Sequence, residues 1–297
     1  MSFSIIQLFN NFINRFEHNP NVVEISFPEI GKFYIEVHAK TDLYISKAIQ
    51  TDKVWEPFET ELLVKTCEVG DIVMDIGANI GWYSLIAAIK TGAKGKVFSF
   101  EPDHDNYNLL VKNIRRLSLR HRVQPFNIAL GARQQHGNLF LNDNNMGDHR
   151  IFPSSDTNGV ASVEIDTIDN ITAKYNLYPD IIKIDTQGAE SAIFNGATQS
   201  FANGKKPVWF VEFWPYGIRL SGYDPLGLWE KFISMGYTIF EIRPDQQKLY
   251  LTSEEYIMHR LATDMKEGKG EIYCDLLLID KSSNKWNLIE PYLSTQI

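Results

Sequence analysis

The sequence predicts an α/β fold: a buried, mostly parallel, Rossmann-like sheet covered by helices, preceded by a smaller N-terminal α/β cap. Two observations carry this. From Asp71 onward, short runs that are apolar on both faces alternate with helical patterns, as expected for strands covered on both sides. One such run, DIVMDI, passes through GANIG into WYSLIAA, and the next, VFSF, ends on Glu101, twenty residues after Gly81. That spacing reads as a βαβ nucleoside-binding unit. With 297 residues, 44% of them hydrophobic, the chain can bury a full core.

Residues 1–65 read as the cap. It opens with a helical pattern carrying Ile5, Phe9, Phe12, Ile13 and Phe16 on one face; the scarcity of cations there favours packing on the protein itself over a membrane surface. A hairpin follows, with strands at 22–27 and 32–38 across PEIG, then helices at 42–49 and 58–67. Residues 66–297 read as the main domain, with strand 72–76, helix 82–90, strand 96–101, helix 103–117 and strand 123–129. A polar-flanked pair at 137–141 and 160–165 comes next. Strand 181–185, helix 189–195, strand 207–213, helix 225–235, strand 237–242 and a last strand at 272–279 complete the pattern. The polar stretch 243–270 reads as a loop or small insert.

A net charge of −8 argues against nucleic acid held on a general basic surface. Arg115, Arg116, Arg120 and Arg122 read as a solvated helix end that complements its dipole. Cys67 and Cys274 lack the spacing of a disulfide framework or a zinc site and read as reduced core residues. No apolar run is long enough to span a bilayer, and a cytoplasmic location is expected. A homo-oligomer is compatible with the sequence.

Gly77 and Gly81 allow a tight turn and a close backbone approach to a ligand, and Glu101 at the next strand tip is placed to accept hydrogen bonds from ribose hydroxyls. The dinucleotide fingerprint would require glycine at 77, 79 and 82, where this chain has Gly77, Asn79 and Trp82. A pyrophosphate therefore fits poorly. Asp75 adds a carboxylate suited to the cationic end of an amino-acid-bearing nucleoside, so S-adenosylmethionine fits better than NAD. In such a sheet the ligand lies outside the carboxyl ends of the parallel strands. That rule adds Pro102 and Ala129 on the cofactor side, and selects Asp185 to Gly188 and Glu212 to Trp214 from the later strands. Asp185 and Glu212 each end an apolar run, where a carboxylate is costly to desolvate unless it meets a ligand, a cation or capping amides.

The segments 71–83, FEP at 100–102, ALG at 129–131, DIIKIDTQGAE at 180–190 and VEF at 211–213 together resemble the FkbM-type methyltransferases over roughly residues 56–242. The most specific pieces are GAN-x-G and the block holding Lys183, Asp185, Gly188 and Glu190. The resemblance implies a seven-stranded Rossmann-like sheet of the class I methyltransferase type with its last strand antiparallel. It also implies S-adenosylmethionine as donor and O-methylation of a sugar, a polysaccharide or a secondary metabolite. The family usually has Glu where this chain has Gln187, so the role of that glutamate does not carry over. The GDHR segment, 147–150, is similar to a motif in part of the family.

Methyl transfer needs an acceptor oxygen held in line and one base for its proton. Asp185, His149 and Glu212 are the candidate catalytic residues. Asp75, Gly77, Asn79, Gly81, Glu101, Pro102 and Ala129 are the candidate cofactor-binding set, and Arg150, Gln187 and Trp214 the candidate acceptor contacts. No metal is expected; an alternative is a divalent ion on Asp185 with Glu212 or Glu190, although Glu190 already suits the first turn of a helix. An NAD-type oxidoreductase or a non-catalytic nucleoside-binding protein could use the same βαβ unit.

Overall fold

A computed structural model describes residues 19–39, 42, 44–142, 145–153, 157–201, 204–257, 259 and 273–294. The expected amphipathic helix from Ile5 to Phe16 lies outside the described residues. In chain order the elements are β1 (Val22–Phe27), β2 (Gly31–Glu36), α1 (Ile45–Asp52), α2 (Pro57–Thr66), β3 (Ile72–Ile76), α3 (Trp82–Thr91), β4 (Lys96–Phe100), α4 (His104–Arg116), β5 (Val123–Phe126) and β6 (Ala129–Leu130). They continue with β7 (Gln135–Leu141), β8 (Gly159–Asp166), α5 (Ile168–Tyr175), β9 (Ile181–Ile184), α6 (Glu190–Asn195), β10 (Val208–Phe213), α7 (Pro215–Leu220), α8 (Pro225–Ser234), β11 (Thr238–Arg243), β12 (Lys248–Leu251), β13 (Cys274–Ile279) and α9 (Trp286–Ile289).

The main sheet has eight strands in the order β12-β11-β13-β10-β9-β3-β4-β5. β5, β4, β3, β9 and β10 run parallel, and β13 is antiparallel to both β10 and β11. The chain winds outward from β3 through β4 to β5, then returns to the other side of β3 with β9 and β10. Winding therefore reverses between β3 and β9, where open α/β sheets bind ligands.

Three expectations need correcting. The sheet has an eighth strand, β12, inside the stretch read as loop: Lys248 pairs with Arg243 across a short turn in which Gln247 is left-handed at φ 51°, so KLYL folds back on β11. The expected strand 123–129 is broken. β5 ends at Phe126 on the sheet edge, where Pro125 can donate no ladder hydrogen bond, and Ala129 and Leu130 pair instead with Ile165 and Asp166. The polar-flanked pair, β7 and β8, joins β6 in a separate three-stranded sheet. Helices α5 and α7 also stand where no helix was expected; α5 is fixed by Thr167, whose hydroxyl accepts from the Asn170 N–H at 3.0 Å.

The core lies on both faces of the sheet. Val73, Val97, Ile181 and Phe210 pack against Leu62, Leu85 and Leu110 from α2, α3 and α4, and the hairpin residues Val23, Ile25, Phe33 and Ile35 belong to the same buried cluster. The opposite face packs Met74, Ile76, Phe100, Ile182 and Trp209 on Ile168, Phe194, Trp229 and Phe232. Each such buried side chain contributes about 1.5–3 kcal/mol of transfer free energy, which is why the strands read as unbroken apolar runs. Cys67 is a buried thiol, pushed up to about 12 by burial, whereas Cys274 is only half-buried. No helix among the described residues is long and apolar enough to cross a membrane.

Candidate functional site

A cavity opens at the reversal point. Its lining brings together Gly77, Asn79, Glu101, Pro102, Ala129, His149, Asp185 and Gln187, eight residues singled out from the sequence, with an apolar wall from Phe100, Ile128, Leu130 and Leu139. The turn after β3 is pressed against the end of β9: the Asp185 N–H donates to the Ile76 carbonyl at 3.0 Å. A Cβ on Gly77, which sits at φ 85°, would come within 1.9 Å of the Asp185 carbonyl oxygen. Only glycine fits there, because the turn needs a left-handed residue and the neighbouring backbone leaves no room.

Glu101 is buried at the tip of β4. Its Oε2 accepts from the Asn79 N–H at 2.7 Å and its Oε1 from the Asp103 N–H at 2.8 Å. Burial pushes its carboxyl up to about 8, outweighing those two donors. Further donors are what such a group lacks, and a ribose diol supplies two. Asn79 takes the left-handed conformation at φ 49°, closing its side-chain oxygen on the Ile80 N–H at 2.8 Å. Its Nδ2 also donates to the Met146 carbonyl at 3.2 Å, and Asn106, a residue absent from the sequence-based set, donates to the same carbonyl at 2.8 Å. The loop bearing His149 is thereby tied to the Glu101 side of the cavity. Asn106 follows the Asp103 cap of α4, and an Asp-x-x-Asn cap was the available signal for it.

Asp185 stands between this cavity and a buried polar layer behind it. Its Oδ1 accepts from Gln187 Nε2 at 3.2 Å, and its Oδ2 lies 3.7 Å from the Lys183 ammonium. The same Gln187 amide donates to Glu212 Oε1 and Oε2 at 3.0 and 2.9 Å. An amide carries two hydrogens and no charge, so it can tie two carboxylates together where a glutamate would add a third. Lys183 is buried, pairs with Glu59 at 2.9 Å, and lies over the Tyr83 ring at 4.4 Å from its centroid. Burial opposes its charge, yet Glu59, Asp185 and Glu56 together hold its ammonium well above the usual range.

Six candidates, counting Glu190 from the alternative metal set, are not brought to the cavity lining. Asp75 faces α3, where Ser84 Oγ donates to its Oδ2 at 2.5 Å, and burial raises its carboxyl to about 6. Gly81 serves packing: a Cβ there would meet Leu110 Cδ1 at 2.6 Å. Arg150 makes a fork with Asp148, Nε and Nη2 each at 2.6 Å, and lies 4.9 Å from the centre of the Trp214 ring. Trp214 is buried against Gly217, leaving no room for a side chain at that position. Glu212 is buried beneath Gln187, and burial followed by the Asp185 charge raises its carboxyl well above the ordinary range. Glu190 caps its own loop, its Oε1 accepting from the Gly188 N–H at 3.1 Å and the Thr186 hydroxyl at 3.0 Å.

His149 lines the cavity as a donor. The Asn142 N–H donates to its Nδ1 at 3.0 Å, so the neutral ring carries its hydrogen on Nε2, which lies 3.8 Å from Asp103 Oδ2. Neither nitrogen then offers a free lone pair to an acceptor proton.

The profile of the Methyltransferase FkbM domain matches residues 75–239. The chain belongs to the FkbM methyltransferase family. Those residues form an S-adenosylmethionine-dependent methyltransferase domain. The hexuronic acid methyltransferase AglP of Haloferax volcanii is 25% identical over 143 residues, 47% of this chain and 55% of that protein, so the match spans about half of its relative's length. Among solved structures, Methyltransferase FkbM from Methylobacillus flagellatus KT aligns at 19% identity over 71% of this chain and 44% of its own, with a TM-score of 0.44. The O-methyltransferase from Bacillus cereus in complex with SAH aligns at 11% identity over 81% of this chain and 82% of its own, with a TM-score of 0.40. The residues present fit the donor that the family implies: a desolvated carboxyl short of donors faces the cavity, a glycine turn lets the backbone close in, and the far wall is apolar as a purine requires.

Proposed function

We propose that this FkbM-family chain is an O-methyltransferase whose acceptor is a sugar hydroxyl, with residues 66–297 as the methyltransferase domain and residues 1–65 as a cap on it. One observation carries the site assignment: Glu101, Gly77 and Asp185 line a single cavity at the reversal of winding. The sugar assignment is supported by the relative named for hexuronic acid methylation.

In this reading Glu101 accepts from the ribose hydroxyls while Asn79 and Asp103 keep its carboxyl fixed, and Pro102 and Ala129 border the nucleoside. S-Adenosylmethionine, when bound, supplies an electrophilic methyl on a sulfonium. Asp185 takes the proton of the acceptor hydroxyl as its oxygen becomes nucleophilic, since among the three candidate bases it combines cavity access with oxygen lone pairs. Gln187 orients Asp185, Glu212 anchors Gln187, and Lys183 counters the local negative charge. His149 keeps its Nε2 3.8 Å from Asp103 Oδ2, so its ring positions the loop beside the acceptor rather than taking the proton.

Calorimetry tests the donor assignment directly. S-Adenosylmethionine is expected to bind in the micromolar range and NAD to give no heat. Binding of NAD without S-adenosylmethionine would overturn the reading. A screen of uronic-acid glycans against neutral sugars and phenols, scored by S-adenosylhomocysteine release, then tests the acceptor class.

A further inference from the structure

The polar layer behind Asp185 holds more negative charge than the methyl-transfer reading uses. Glu56 and Glu59 stand at the start of α2, and Asp275 at the start of β13, where it is paired across the ladder with Glu212. One carboxylate oxygen from each of Glu56, Glu59 and Asp275 lies within 4.8 Å of the other two. The cation that the structure sets against them is Lys183, which contacts Glu59 Oε1 at 2.9 Å. Three carboxylates against one ammonium leave two negative charges, before Asp185 and Glu212 behind them are considered.

We propose that Glu56, Glu59 and Asp275 form a site for one hard divalent cation. The site is separate from the donor cavity, whose lining includes none of the three. A second observation, besides the clustering, points to a ligand. Glu59 is buried to 2% exposure, and its Oε2 has no hydrogen-bond partner although Oε1 is held by Lys183. A buried carboxylate oxygen left without a donor costs about 1–3 kcal/mol or more, and a metal ion removes that cost. Tyr83 meanwhile donates from its hydroxyl to Glu56 Oε2 at 2.6 Å, fixing that carboxylate as a supporting hydrogen bond fixes a metal ligand.

Donor type selects the class of ion. All-oxygen ligation suits calcium, magnesium or manganese. Three oxygens that all lie within 4.8 Å of one another are close enough to share one such ion. Lys183 can stay in place beside the ion, held by Asp185 and the Tyr83 ring.

The test uses the full chain after chelation and dialysis, titrated with CaCl2 or MnCl2 at constant ionic strength and followed by calorimetry and by the electron paramagnetic resonance of free Mn2+. The expected result is one saturable ion per chain, with Ca2+ displacing Mn2+. Asp275→Asn and Glu56→Gln should each weaken binding at least 10-fold while leaving the affinity for S-adenosylmethionine within about 3-fold, which shows that the variants are folded. No saturable binding to the wild-type chain, or undiminished binding in the double variant, would overturn the proposal. A chain that binds Mn2+ but not S-adenosylmethionine keeps this site and loses the donor assignment; the reverse keeps the donor assignment and removes this site.

Discussion

The two halves of the polar crevice solve the burial of carboxylates differently. On the β4 side, Glu101 is held by backbone N–H groups of Asn79 and Asp103, within a turn that admits only glycine at position 77. On the β9–β10 side, Asp185, Glu212, Glu59 and Glu56 are held by side chains: an amide from Gln187, an ammonium from Lys183 and a phenol from Tyr83. A backbone cradle is rigid and tolerates little change, whereas side-chain partners can be exchanged one at a time. The difference matches a shared nucleoside donor on one side and a variable acceptor on the other.

The largest effect should come from breaking the backbone-held side. Glu101→Ala is expected to weaken S-adenosylmethionine binding at least 100-fold, about 3 kcal/mol, because two ribose hydroxyls and two backbone N–H groups lose their acceptor together. Calorimetry reads it directly. Retention of micromolar affinity would show that the ribose lies elsewhere and would remove the contrast.

Next comes a change on the side-chain-held half. Asp185→Asn should lower kcat about 100-fold and leave donor affinity within about 3-fold, since proton removal typically accounts for about 10²–10⁴ in rate. His149→Ala should lower kcat by about 10-fold or less, because its Nδ1 lone pair is already engaged by Asn142. Normal turnover in the Asp185 variant would transfer the base role away from this carboxylate.

A third prediction uses pH to separate the halves. In the free protein Glu101 titrates near 8, raised by burial, and a ribose diol stabilises the ionised form. Donor binding then releases a proton, so affinity should increase up to about 10-fold per pH unit between pH 6 and 8 and level off above that. Glu101→Gln should flatten this profile, while Asp185→Asn should leave it intact. Calorimetry in buffers of different ionisation enthalpy counts the proton; zero release at pH 7 would contradict the assignment.

This contrast also explains what could be read in the sequence. Gly77, Asn79 and Glu101 lie in two adjacent segments whose spacing is set by one βαβ crossover, so local pattern sufficed. Asp75 was misread because alternation along β3 turns it toward Ser84 on α3, on the face opposite Ile76. Glu56, Glu59 and Asp275 come from the start of α2 and from β13, more than two hundred residues apart, and no local spacing announces them. The missing helix α5 and strand β12 are short and amphipathic, and single caps or turns decide them. Arg150 looked like an acceptor contact by type, yet its fork geometry is filled by Asp148 two residues away.

The smallest effect tests whether the amide at 187 is required by its surroundings. Gln187→Glu places a third carboxyl 2.9–3.2 Å from the oxygens of Asp185 and Glu212. Repulsion and burial would raise the pKa of the new group above its unfolded value of about 4.3, so the variant should be almost as stable as wild type at pH 4. It should lose stability as pH rises through the raised pKa, by about 1–2 kcal/mol at pH 8. Thermal unfolding at the two pH values measures this as a few degrees of Tm lost at pH 8 alone. If calcium at the Glu56, Glu59 and Asp275 site reduces that loss, the added charge and the ion are acting within one electrostatic cluster. An equal Tm at both pH values, with or without calcium, would mean that Gln187 is a passive neighbour and that the acceptor half does not depend on its amide.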